Sequence, residues 1–269
     1  MEILWGLVVG IVFSTVGAAG AILAGVGHLS LFAIKEANLV KFYNQFLVVL
    51  SPMVSLPLYI RQKRVVFWLA LFLALGSILG ALAGSYLSYH YLKDLKNYKQ
   101  LFGLLTLLIG AKVLYDAYKL SRVKEGNKSM YAGLKGFHIV IDQGGGIIRV
   151  NIIGPLLAGF GIALLSSAMG VGGGFLIVPY MLLVVGLLAY YVPGTAIVVV
   201  YITTLTSLLN YYSLGVRPDW RFLLKEAIGV WIGSALGPYI SKLIGERLLR
   251  TAIGFLLLGL GMAYSLRLL

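Results

Sequence analysis

Met-Gly-Val-Gly-Gly-Gly-Phe-Leu-Ile-Val-Pro, residues 169–179, is the stretch on which the fold turns. Its flanks are apolar, and the run from 153 to 188 would extend roughly 50 Å as one helix, well beyond the about 30 Å of a hydrocarbon core. Gly170, Gly172, Gly173 and Gly174 sit in its middle, where each weakens a helix by about 1 kcal/mol relative to Ala. A break there turns one overlong segment into a hairpin, re-entrant or fully crossing, that returns to the side it left.

The rest of the chain has the composition such a hairpin needs. Of 269 residues, 60% are hydrophobic and 12% charged, with a mean hydropathy of +0.95; soluble domains carry about 25% charged residues. Apolar segments fall at about 3–34, 38–60, 65–91, 98–118, 153–188, 193–214, 222–243 and 248–268. A polar stretch at 119–149 separates two near-equal halves, and within it 138–150 reads as a β-hairpin. The predicted organisation is therefore a first transmembrane repeat, 1–120, a linker, 121–150, and a second repeat, 151–269. The net charge of +13 comes from Lys and Arg clustered between apolar runs, which is a topology signal. Lys119, Arg122, Lys124, Lys128 and Lys135 place the linker on the cytoplasmic side.

The halves repeat. At an offset of 153 residues, Ser14, Gly17, Gly20 and Leu23 fall on Ser167, Gly170, Gly173 and Leu176, and Gly76, Gly80 and Gly84 fall on Gly229, Gly233 and Gly237. Later the offset drifts to 151, where Gly103 and Gly110 meet Gly254 and Gly261. Ordered matches with a slowly drifting offset indicate duplication. A hairpin plus three crossings per half is odd, so the halves are expected to be inverted relative to each other, as in many secondary transporters. The predicted fold class is all-α, a polytopic helix bundle of two inverted repeats, each opening with a glycine-broken hairpin.

Free backbone N–H groups at a helix break attract anions without any charged side chain. Close helix packing through small residues is the competing reading of the same glycines, and it is the preferred one for the ladders at spacing four. Taking the anion reading, the site is expected near mid-membrane between the two hairpin tips, at Gly17 and Gly20 of the first and Gly170, Gly172, Gly173 and Gly174 of the second. Polar residues inside apolar runs add Asn44, Gln45, Thr195 and Asn210. His28 and Arg149, near segment ends, are expected at the interface. The acids lie largely in loops.

Other classes lack their signatures. There is no cysteine, hence no disulfide and no thiolate chemistry. Neither H-E-x-x-H nor G-x-S-x-G occurs, no Walker lysine follows the glycines, and no basic patch with interleaved aromatics suggests nucleic acid. No cofactor is expected. The partners are a small anion and the lipid of a cell membrane, and a carrier and a channel both fit.

The residues Gly170 to Pro179, Pro-Gly-Thr-Ala at 193–196, Asn-Tyr-Tyr-x-x-Gly-x-x-x-Asp-Trp at 210–220 and the Gly229/Gly233/Gly237 ladder together resemble the second repeat of the TauE/SafE sulfite exporter family. The resemblance implies transport of sulfite, organosulfonates or related small anions, coupled to a proton or sodium gradient. The first half departs from the pattern, with Gly-Ala-Ala-Gly-Ala at 17–21 and Val26 in the place of the second-half proline.

Overall fold

The computed structural model describes residues 1–16, 19–118, 131–143, 146–188, 190–244 and 246–266. Gly17 and most of the basic linker, 119–130, lie outside them.

The first half opens with α1 (Glu2–Val16) and α2 (Ala19–Val26), which runs on through π-helical turns at Gly27–Leu31. Then come α3 (Ala37–Arg61), α4 (Phe67–Tyr91) and α5 (Leu95–Tyr118). The second half repeats this order: α6 (Ile153–Met169), α7 (Gly174–Pro179) with π-helical turns at Tyr180–Val185, α8 (Val192–Ser213), α9 (Trp220–Ile244) and α10 (Glu246–Ser265). Among the described residues, α4, α5 and α8 are long and apolar enough to cross a bilayer. The protein is a helical membrane protein. Both opening segments are hairpins: a Cβ on Gly20 would meet the Phe13 ring and one on Gly27 the Trp5 indole, so α2 runs back along α1.

Between the halves lies a sheet with one strand more than the sequence pattern indicates. β1 (Tyr131–Lys135), β2 (His138–Asp142) and β3 (Ile147–Asn151) pair antiparallel in that order. Its alternation buries Ile139 and Ile141 against Val185 and Leu187. Gln143 fastens it to the second hairpin, its Oε1 accepting from Leu188 N–H at 2.7 Å and its Nε2 donating to the Gly186 carbonyl at 3.3 Å.

Lipid tails are as apolar as leucine, so tight seams in a membrane come from close backbone approach. Three seams dominate the bundle. A Cβ on Gly76, Gly80 or Gly84 would lie 2.0, 2.1 or 2.2 Å from the carbonyl oxygen of Leu156, Phe160 or Leu164, which sets α4 parallel to α6. Gly6 and Gly10 meet Glu226 and Val230 in the same way, which sets α1 parallel to α9. Gly103 faces Tyr264 and Gly110 faces Leu257, so α5 and α10 run antiparallel. The seams obey the repeat: α1 and α6 are counterparts, as are α9 and α4, and α5 pairs with its own counterpart α10.

Candidate functional site

Where α6 ends, the chain enters the left-handed region that glycine tolerates best: Gly170 has φ +72° and Gly172 φ +66°. The Gly170 N–H bonds back to α6 carbonyls, capping that helix. The first carbonyl to accept within the next helix is that of Gly173, from the amides of Leu176 and Ile177. The N–H groups that open α7 therefore precede any intrahelical acceptor.

This tip faces a cavity of about 210 Å³. Phe13 and Ala21 border it from the first hairpin, Val171, Gly172, Gly174 and Val178 from the second, Val48 and Pro52 from α3, and Pro193, Ala196, Ile197 and Val200 from α8. The side chains of the wall are apolar, so the polarity available to a ligand comes from the backbone at the glycines.

The other sequence-predicted residues fall around this cavity or apart from it. Gly173 stands behind the wall, its hypothetical Cβ 3.0 Å from Ile177 Cδ1 and 3.2 Å from Ile162 Cγ2. Gly170 abuts the Lys41 backbone. Gly20 packs on Phe13, and Gly17 lies outside the described residues. Gln45 is buried beneath the tip of the second hairpin, donating to the Ser167 carbonyl at 3.2 Å while its own Oε1 has no partner. Tyr211 donates to the same carbonyl at 3.1 Å. The Thr195 hydroxyl accepts from Val66 N–H at 3.0 Å and donates to the Tyr191 carbonyl at 2.9 Å, tying α8 to the start of α4. Asn210 donates to the Leu82 carbonyl at 3.2 Å and to Ser85 Oγ at 2.7 Å.

Asn44 belongs to a different cluster. It contacts His28, which is fully buried between helices, a correction to the interfacial position expected from its place near a segment end. The other imidazole nitrogen meets Glu226, also fully buried and inside α9, where a loop position was expected for the acids. Lys41 is buried as well. Its ammonium donates to the Leu92 carbonyl at 2.7 Å and to Asn38 Oδ1 at 3.1 Å, answering the negative end of α4. Arg149 is exposed on β3.

A bundle of apolar helices with glycine seams, two opening hairpins and a cavity at their tips defines a membrane transporter. A family profile described as Sulfite exporter TauE/SafE matches residues 2–264, and the chain belongs to that family, whose members are membrane transporters and not enzymes. It is 24% identical over 246 residues to the Probable membrane transporter protein YunE of Bacillus subtilis (strain 168), covering 88% of this chain and 86% of that protein. No solved structure matches.

Proposed function

We propose that this protein is a secondary transporter of small sulfur-containing anions, sulfite or an organosulfonate, that bind in the cavity between the hairpin tips. The observation that carries the reading is that cavity: residues of both hairpins border it, among them Gly172 and Gly174 at the start of α7. An anion leaving water needs donors, and oriented backbone N–H groups supply them without a fixed opposite charge that would hold the ligand too tightly to release. Gly20, Gly170 and Gly173 shape the two tips, and Asn44, Gln45, Thr195 and Asn210 brace the helices behind them.

The antiparallel pairing of the counterparts α5 and α10 supports inverted repeats, 1–120 and 151–269, about an axis in the membrane plane. The 15 residues of α1 reach about 22 Å at 1.5 Å per residue, short of a full crossing, which supports re-entrant hairpins. The linker, 121–150, faces the cytoplasm of a cell-membrane protein. Phe137 is exposed in the β1–β2 turn, so a cysteine introduced there should react with a membrane-impermeant maleimide only after cells are opened; labelling in intact cells would reverse the orientation.

Thermal stabilisation of the purified protein by a panel of sulfite, alkylsulfonates, sulfate and carboxylates tests the substrate class. A ligand at 100 times its Kd adds about 2.7 kcal/mol to the state that binds it. Sulfite or a sulfonate should raise the midpoint and carboxylates should not; the reverse ranking would replace the proposed substrate by an organic acid.

A further inference from the structure

His28 lies on the π-helical turn that ends the first hairpin, Asn44 on α3 and Glu226 on α9, all without solvent exposure. The imidazole Nδ1 is 2.7 Å from Asn44 Oδ1 and Nε2 is 2.9 Å from Glu226 Oε2. Both ring nitrogens thus face oxygens. An imidazolium beside a carboxylate satisfies both contacts, as does a neutral imidazole beside a carboxylic acid; the same pair with one proton fewer leaves a lone pair facing a lone pair. A half-turn of the Asn44 amide would relieve that conflict, and its Nδ2 has no partner in the present orientation. Glu226 Oε1 is likewise buried without a partner.

The surrounding charges are engaged elsewhere. On α9, Lys225 reaches Glu2 of α1 at 3.6 Å, and Asp219, just before that helix, accepts from the Arg221 and Phe222 amides. On α3, Lys41 is held by the Leu92 carbonyl. Tyr43 lies edge-on to the imidazole and accepts from Asp219 N–H, with Glu36 and Asp219 the other carboxylates acting on it. From α10, Tyr264 bonds to Ser30 and to the Val26 carbonyl. Among the described residues, no Lys or Arg contacts the Glu226 carboxylate.

The repeat supplies an internal control. Gly6 packs on the Glu226 carbonyl; 153 residues later Gly159 packs on the carbonyl of Leu73, which stands 153 residues before Glu226. The counterpart of His28 is Met181, also second in its π-helical turn, and both Leu73 and Met181 are fully buried in one apolar cluster. The same backbone packing is thus achieved with leucine and methionine at one of the two equivalent seams, α4 with α6, so packing does not require histidine and glutamate at the other, α1 with α9. Intramembrane ionisable groups are costly and mark ion and proton pathways.

We infer that His28 and Glu226, with Asn44 as the reorienting partner, form a proton-binding site that couples transport to the proton gradient. Uptake of one proton takes the pair from net charge −1 to zero, removing an uncompensated buried charge and so favouring the closed contact between the first hairpin and α9. Ala21, at the anion cavity, lies on the same hairpin about 10 Å along the helix from His28. Glu226 is about 9 Å into α9, near the end opposite the linker; in the proposed orientation this is the extracytoplasmic side. The coupling role rests on the transport reading; the proton site itself does not.

Two measurements separate these. In a potentiometric titration between about pH 5 and 9, the purified wild type should take up one proton per molecule more than H28M/E226L, which copies the apolar counterpart pair; equal uptake would overturn the proton site. In pyranine-loaded proteoliposomes given a gradient of methanesulfonate, which stays ionised throughout, the wild type should move protons with the anion. Glu226→Gln should lose that proton flux, while self-exchange of the labelled sulfonate, which needs no net proton movement, reports whether the variant is folded. A proton-to-anion ratio in Glu226→Gln equal to wild type would overturn the coupling. Wild-type liposomes that move no sulfonate or sulfite would instead overturn the transport reading, with the titration still deciding the proton site.

Discussion

Gly80→Leu should yield no stably folded protein, whereas Gly161→Leu on the opposing helix should be indistinguishable from wild type. A Cβ at Gly80 would lie 2.1 Å from the Phe160 carbonyl oxygen and within 2.9 Å of two further backbone atoms. These belong to a helix and cannot swing aside as a side-chain end would, so α4 and α6 must separate along their whole seam. Overpacking in ordinary cores costs about 1–3 kcal/mol where side chains can adjust; here the cost should reach or exceed the top of that range. At Gly161 a Cβ meets nothing within 4 Å. Size-exclusion profiles in detergent and denaturation midpoints of the two variants measure the contrast. A monodisperse Gly80→Leu with a wild-type midpoint would mean that the seam is not a close backbone contact.

That seam was readable from spacing alone, because glycines four apart on an apolar helix stack on one face. The hairpin was readable for a similar reason: a run too long for one crossing, with glycines in its middle, has few other solutions. The polar interior was harder to read. His28 and Glu226 are 198 residues apart, and hydropathy assigns a lone histidine near a segment end to the interface. What brings them together is the exchange of partners between halves, α1 with α9 and α4 with α6, which no local pattern encodes. A clue was nevertheless present in the duplication: Leu73 is the first-repeat counterpart of Glu226 and Met181 the second-repeat counterpart of His28, and this departure from symmetry marks the exceptional pair. Thr195 and Asn210 illustrate a different obstacle. A polar residue in an apolar helix can line a pathway or bind a neighbour's backbone, and composition does not distinguish the two; here the backbone of α4, or the residue just before it, takes both side chains into hydrogen bonds.

Gly174→Val should abolish stabilisation by sulfite or sulfonates and lower transport by more than roughly tenfold, a loss of about 1.4 kcal/mol or more in binding, while leaving the protein folded. The choice among the tip glycines follows from their surroundings. Gly172 has φ +66°, and its Cβ would come within 2.9 Å of Val48 Cγ1, so any side chain there strains the loop itself. Gly173 points into protein, at Ile177 and Ile162. A Cβ on Gly174 meets only Val200 Cγ2 at 3.4 Å, an ordinary contact, and Gly174 both borders the cavity and begins α7. Valine is a better helix former than glycine, so local stability should hold while its branches occupy space the anion needs beside the free amides. Gly174→Ala should fall between, with weakened but measurable stabilisation. The panel that ranks ligands for the wild type, repeated on both variants with thermal midpoints recorded in the absence of anion, reads binding and folding separately. Wild-type transport by Gly174→Val would remove the anion from this cavity and leave the glycines of the second hairpin as packing residues.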